Sequence, residues 1–444
     1  MTVHFNSATG KLMFPWEFIG VSGKNYITNR GKVVPRVNLT PRLVKGADPF
    51  HRKAGETPAL DLDFASNKSL TDTVSGKNLV TFTRASSGTF VGSNGLIQTA
   101  TTNTPRFDHD PVTGESQGLL IEESRTNLVT YSEQLDQWTL GSHTTVTANA
   151  AIAPDGTNTA DLCVFNARSG TYVGSNNFLI SGRTYTASVW AKAVTPGTDD
   201  QFTFNFGGGN VNATSRFTAT GEWQRFTATI TPSLSSGPKG LFINNEGDSF
   251  RSEIYFWGAQ VEEASYAASY IPTTSSQVTR AADVAEITGT NFSSFYNSTE
   301  GTIYSEASFA GLANASYPRI YQFWDSSSTE KYHRLLITTA TAPFLLQTRT
   351  KNSSTQASFN SNAVTVGQVL KTAYAYKAND FDVSFSVGSS GATSDTSGSI
   401  PTGVNQVRLG ARAEDGNYNF TGHIKRFAFF APRLTDSKLA QLTS

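Results

Sequence analysis

The run TASVWAKA, residues 186–193, decides how this chain is read. Ala187, Val189, Ala191 and Ala193 fall on one side of an extended backbone; Ser188, Trp190 and Lys192 fall on the other. A period of two marks a strand with one buried face. The pattern returns at 201–206 (QFTFNF), aligning Phe202, Phe204 and Phe206, and at 223–230 (WQRFTATI), aligning Phe226, Ala228 and Ile230. IYFWGAQVEE, 254–263, is apolar on both faces and is expected at the centre of a sheet. Turn clusters separate these runs, as at Thr195-Pro196-Gly197 and Ser235-Ser236-Gly237-Pro238. Short strands so spaced predict a β-sandwich or jelly roll over 127–275.

Downstream, 276–300 reads as a bridge with some strand and little helix. From Gly301 a second β-rich segment begins. TIYSEASF, RIYQFWD, YHRLLIT, FLLQTRT, LKTAYAYK, FDVSFSVG, NQVRLGAR and HIKRFAFF supply its strands. A short terminal helix, which the concanavalin-like resemblance of the tail given below implies, can be capped by Thr435 or Asp436 and pinned by Leu434, Leu439 and Leu442.

Upstream, 59–126 reads as a short-stranded collar. ALDLDF (59–64) alternates cleanly, with Asp61 and Asp63 on the wet face. TFT (81–83), the turn Ser86-Ser87-Gly88 and TFV (89–91) read as strand, turn, strand, with Gly92-Ser93-Asn94-Gly95 closing a hairpin. Asp108, Asp110 and Glu115 have the look of a calcium loop, but Val112 and Gly114 sit at the wrong offsets, so a turn is expected. SGTFVGSN (87–94) returns as SGTYVGSN (169–176) without extending further, which makes it a reused turn.

Residues 1–58 read as an extended arm. LMFPWEFIGV (12–21) is apolar without helical or strand period, and five prolines punctuate the segment. Residues 1–53 carry nine Lys/Arg against Glu17 and Asp48 alone, although the chain balances at 35 basic and 35 acidic residues. Such an arm is expected to dock on a partner protein, with Phe14, Trp16 and Phe18 as anchors and Arg30, Lys32, Arg36 and Arg42 meeting acidic groups.

The zero net charge gives no pull towards nucleic acid or anionic membrane, and no apolar stretch approaches a membrane span. The single Cys163 rules out an internal disulfide framework and is expected to be buried and inert. Six scattered histidines, no phosphate loop and no G-x-S-x-G elbow leave no catalytic residue to name. A glycan hydrolase built from distant carboxylates stays open as an alternative. No cofactor is implied by a motif. Calcium at the loop acids Asp325, Asp380, Glu414 and Asp415 is what the concanavalin-like lectin resemblance given below implies, with no pair assigned.

Trp190 lies on the polar side of its strand, Trp223 shares a face with Arg225, and Tyr255 shares one with Trp257. Aromatics on a groove can stack on sugar rings; packing against a neighbouring block is the plainer alternative. Trp324, Tyr332, His333 and Arg334 form a second set, with the same alternative.

The phrases YTASVWAKA, GEWQRFTATIT and IYFWGAQVEEASYAASYIPTT resemble jelly-roll carbohydrate-binding modules. FDVSFSVG and VRLGAR…NFTGHIKRFAFFAPRLTDSKLAQL resemble the laminin-G or concanavalin-like sandwich. TFTRASS…IEESRTNL together with that tail resembles bacteriophage virion fibre and spike proteins. The resemblance implies a homotrimer on the tail or capsid of a virion, assembled in the host cytoplasm. Its N-terminus would hold other virion proteins and its lectin-like domains would meet host-surface glycans. A capsid decoration protein without a receptor is the alternative within the same resemblance. The expectation is an all-β chain: extended arm, short-stranded collar, then two β-sandwiches.

Overall fold

The computed structural model describes residues 48–444, except 168–169, 176–177, 207–213, 234–239, 246–250, 312–316, 339–342 and 413–418. Before residue 48 it describes strand backbone only, at 4–6, 11–13, 17–21, 24–29 and 32–35. The chain divides into two compact units, Met1–Lys53 and Ala54–Ser444.

The first unit departs from an extended arm. His4–Asn6 pairs antiparallel with Lys11–Met13, and Glu17–Val21, Lys24–Asn29 and Lys32–Pro35 form a three-stranded antiparallel sheet. An apolar run without period does not discriminate coil from a strand buried on both faces, which is why periodicity missed it. Pro35 ends an edge strand, where its missing donor costs least. Phe18 and Lys32 belong to these strands; Phe14, Trp16, Arg30, Arg36 and Arg42 lie outside the described residues.

In the second unit the expected all-β architecture is present, but the boundaries differ. Residues 59–126 form no separate collar. Leu60–Asp63 pairs with Gly422–Phe430, and so does Ser116–Ile121 at Leu119 to Ile121. Thr81–Thr83 pairs with Val284–Thr288, which pairs in turn with Gln406–Leu409. These strands complete a sandwich of an eight-stranded and a seven-stranded antiparallel sheet, drawn from 60–121 and 284–444. The supposed bridge 276–300 therefore contributes an inner strand. Leu60, Leu62, Phe82, Leu119 and Ile121 enter the same core as Phe323, Tyr374, Phe427 and Phe429. Short strands separated by 160 residues or more give no local sign that they belong together.

The jelly roll is inserted into this sandwich. The chain leaves through Arg125–Asn127 and returns through Val278–Arg280, and the two segments pair antiparallel. Between them two five-stranded sheets face each other over Phe202, Phe204, Phe206, Val189 and Cys163. Ser252–Glu262 is central, flanked by Ala160–Phe165 and Tyr185–Ala193, as its two apolar faces required.

All eight strands expected after Gly301 are present, with two more, the short Ser394–Asp395 and the long Ser354–Val364. Its polar, small-residue run (STQASFNSNAV) hid a buried face of Ala357, Phe359 and Ser361. The terminal helix Asp436–Thr443 is pinned by buried Leu434, Leu439 and Leu442, although the Thr435 side chain makes no capping bond. TFT and TFV do not form one hairpin. Gly88–Val91 pairs instead with Ile97–Ala100 around the Gly92–Gly95 turn. Asp61 is not on a wet face: it is fully buried and held by Arg426 at 2.6 and 2.8 Å.

Candidate functional site

Five buried charges meet where the insertion joins the sandwich. Asp283 accepts from Arg84 at 3.1 Å, from Arg106 at 2.5 Å and from the Glu122 backbone at 2.9 Å. Glu122 accepts from Arg106 at 2.7 Å and has Arg280 at 3.5 Å. Burial opposes the Glu122 charge, but Arg280 and Arg106 outweigh it and hold its pKa far below the carboxylate range. All five side chains are almost fully shielded, so this is a junction and not a ligand site. Arg84 belongs to TFTRASS and Glu122 to IEESRTNL, the two phrases that resemble virion fibre and spike proteins. The supposed calcium residues also serve structure. Asp108 meets His423 at 2.8 Å, Asp110 caps the turn at Val112 and Thr113, and Glu115 lies 3.3 Å from Lys425.

The aromatic face of the jelly roll is occupied by the chain itself. Trp257 is 1% exposed and donates its indole N–H to Thr159 at 3.0 Å. Trp190 lies edge-on to Trp257 and to Tyr270, with ring centroids 5.5 Å away in each case. The Arg225 guanidinium lies over it at 4.5 Å. Trp223 donates to the Ile152 carbonyl at 2.9 Å and packs on the same cluster. Gly258, at φ +66°, makes this packing feasible: a Cβ there would stand 2.9 Å from the Trp190 ring. A sugar cannot stack on Trp257, and Trp190 is already sandwiched. Of the four, Tyr255 alone stays outside the cluster, half-buried across from Leu162 and Lys192. Trp190→Ala is expected to lower stability by about 2–3 kcal/mol while leaving glycan binding unchanged. Urea melts and a binding assay on the same preparation check this, and lost binding with an unmoved melt would return Trp190 to the ligand.

A different face gathers the second set of candidates. Phe323, His333, Leu335, Thr350 and Val407 point from the seven-stranded sheet into its core. The residues between them point outward: Trp324, Tyr332 and Lys351 in one cross-strand row, Arg408, Gln322, Arg334 and Arg349 in the next. His333 thus leaves the set, for strand alternation puts it on the opposite side from Tyr332 and Arg334. Its ring is buried, stacked on Tyr376 at 4.2 Å and bonded to Thr350 at 2.7 Å.

Over this face opens a cleft of about 290 Å³, lined by Tyr317, Arg319, Thr329, Glu330, Tyr332, Arg334, Arg349, Lys351 and Arg412. Among the described residues five cations and one carboxylate line it, and Lys351 pairs with that carboxylate, Glu330. Arg334 and Arg349 stand directly opposite each other on neighbouring strands, which brings two like charges together on one face of the sheet. The Nε of Arg349 is buried without a hydrogen-bond partner among the described residues. The Arg334 guanidinium lies 4.6 Å over the Tyr332 ring, and that of Arg408 lies 5.9 Å over Trp324. Tyr332 and Trp324 are buried at 4% and 5% exposure. The aromatics Tyr332 and Trp324 are therefore supports, and the surface that the cleft presents is made by guanidinium groups and the exposed Tyr317 ring. The sequence showed the aromatics but gave no sign that Arg319, Arg349 and Arg412 converge on them.

Asp325 is engaged by Ser327 and Lys331, and Asp380 by Arg433; Glu414 and Asp415 lie outside the described residues.

No family model matches the sequence, and no curated protein matches it. Solved structures resemble it at low identity. The carbohydrate-binding module of a Ruminococcus gnavus sialidase, bound to α2,3-sialyllactose, is 16% identical at a TM-score of 0.29, over 33% of this chain and 84% of that one. Domain 4 of the arabinanase AbnA from Geobacillus stearothermophilus, in complex with arabinotriose, is 13% identical at 0.28, over 41% and 81%. The NanB sialidase of Streptococcus pneumoniae is 12% identical at 0.29, over 35% and 26%. These likenesses are distant; what the cleft can hold follows from its own residues.

Proposed function

We propose that this chain binds an acidic saccharide at the basic cleft, as a display protein of a phage particle. The carrying observation is the basic lining of the cleft: among the described residues it holds five cations and one carboxylate, with Arg334 directly opposite Arg349. Guanidinium groups match carboxylate and sulfate oxygens in bidentate fashion. Tyr317, 47% exposed, offers a flat surface for a pyranose ring. Display on a virion is supported by the sequence resemblance at TFTRASS…IEESRTNL and the tail. The basic N-terminal unit would attach to acidic surfaces of other virion proteins. Several copies, three if the resemblance holds, would turn weak single sites into firm adhesion.

Acidic oligosaccharides such as sialyllactose should bind in preference to their neutral counterparts, with affinity falling as salt rises. Arg349→Gln should weaken that binding by about tenfold or more without lowering the melting temperature. Equal affinity for neutral and acidic ligands, or an indifferent Arg349→Gln, ends the reading of the cleft. A solution mass of one chain counts against the multi-copy arrangement, and particles that do not bind antibody to the chain count against display.

A further inference from the structure

A second cleft, about 350 Å³, lies on the inserted domain, lined by Glu133, Gln134, Asn149, Thr159, Thr273 and neighbouring Pro272, Thr274 and Val278. Its chemistry is the reverse of the first: among the described residues no cation lines it. Costly backbone places two of its polar groups. Asn149 has φ +56° at a register break in the edge strand Thr144–Ala151, between Thr147 and Ala151. Edge irregularities of this kind re-aim a side chain out of the ladder. Tyr131, two residues before Glu133, also has φ +56°, a conformation that a bulky residue holds only when its surroundings impose it.

These groups are presented with bonding capacity to spare. Glu133 Oε1 accepts the Tyr270 hydroxyl at 2.9 Å, and Tyr270 is itself locked among Trp190 and Trp257. Glu133 Oε2 and the side-chain amides of Gln134 and Asn149 make no hydrogen bond among the described residues. Burial, with Asp155 adding to it, raises the Glu133 pKa despite the bond from Tyr270, so further negative charge is unwelcome here.

We infer that this cleft takes a neutral, hydroxyl-rich saccharide. The Asn149 and Gln134 amides can each donate to one hydroxyl and accept from its neighbour, while Glu133 accepts a third. Pro272 and Val278 supply apolar surface for the C–H face of a ring. An anionic sugar would meet Glu133 and Asp155 with no countercharge. The basic cleft plays no part in this inference, and each can fail without the other.

The test uses the full chain and a panel of lactose, maltose, cellobiose and diacetylchitobiose at millimolar concentration, read by ligand-observed NMR. At least one should bind. Asn149→Gly, which keeps the left-handed backbone and removes the amide, should weaken it tenfold or more, as should Glu133→Gln. Gln134→Ala, on an exposed side chain, gives the same readout should either variant misfold, and Arg349→Gln should change nothing. Silence from the whole panel, or binding that all three cleft variants leave intact, overturns the inference.

Discussion

Asp283→Ala should destabilise the second unit by about 3–5 kcal/mol, the usual cost of stranding buried charges by removing one partner. The carboxylate receives Arg84, Arg106 and the Glu122 backbone N–H, and Arg280 stands 4.0 Å away. Without it three buried guanidinium groups share one remaining carboxylate, Glu122. Each of those groups anchors a different stretch: Arg84 follows Thr81–Thr83, Arg106 precedes Phe107–His109, and Arg280 closes the return strand of the insertion. The damage should therefore reach the sandwich and the insertion together. Urea unfolding followed by tryptophan fluorescence and by far-ultraviolet dichroism would report it. A loss below about 1 kcal/mol would mean that water or rearrangement neutralises the arginines, and the junction would not hold the two domains in register. Replacing the whole charged set by well-packed apolar residues is a separate case and can be nearly neutral.

The same cluster shows what could be read in advance. Strand alternation exposed the jelly-roll core and the central strand Ser252–Glu262, because those signals are local in sequence, and the resemblance of the tail implied the pinned terminal helix. It missed the insertion, since the three residues of Thr81–Thr83 hold no record of their pairing with Val284–Thr288. It also misjudged buried charge. Asp61, Arg84 and Arg106 look like surface residues in a string of letters; their partners lie 365, 199 and 177 positions away. The ligand face was half legible for a similar reason. Tyr332 and Arg334 are neighbours in one strand, but Arg349 joins them through register and Arg319 through a bulge beside Tyr321. Sequence gave residue types, and sheet register gave the constellation.

His333 ties the core to that constellation, and pH should reveal it. It lies between Tyr332 and Arg334, facing inward, with its ring stacked on Tyr376 and its Nε2 without a hydrogen-bond partner among the described residues. Burial pushes its pKa down from 6.5 to about 3. Above pH 6.5 neither the folded nor the unfolded chain protonates it, so it contributes no pH dependence there. Between 6.5 and about 3 the unfolded chain takes up a proton that the folded chain refuses, and stability falls as pH falls. The slope approaches 1.4 kcal/mol per pH unit, on the order of 5 kcal/mol in all. Asp382, with its pKa raised to about 6 chiefly by burial, titrates in the same range, so the His333 share is read as the difference between wild type and variant, about 2 kcal/mol between pH 6.5 and 5. His333→Phe keeps a flat ring on Tyr376 and leaves Thr350 bonded to Tyr374. After a neutral-pH cost below about 2 kcal/mol, its stability should therefore fall less than the wild type's across that window by that share. Parallel curves for wild type and variant would show that the ring accepts its proton in the folded state, through water or a local opening of the strand. Such an opening would also disturb Arg334 on the other side of the strand. Acidic-glycan binding measured over the same range should then decline for the wild type without an accompanying loss of stability relative to the variant, and persist in His333→Phe.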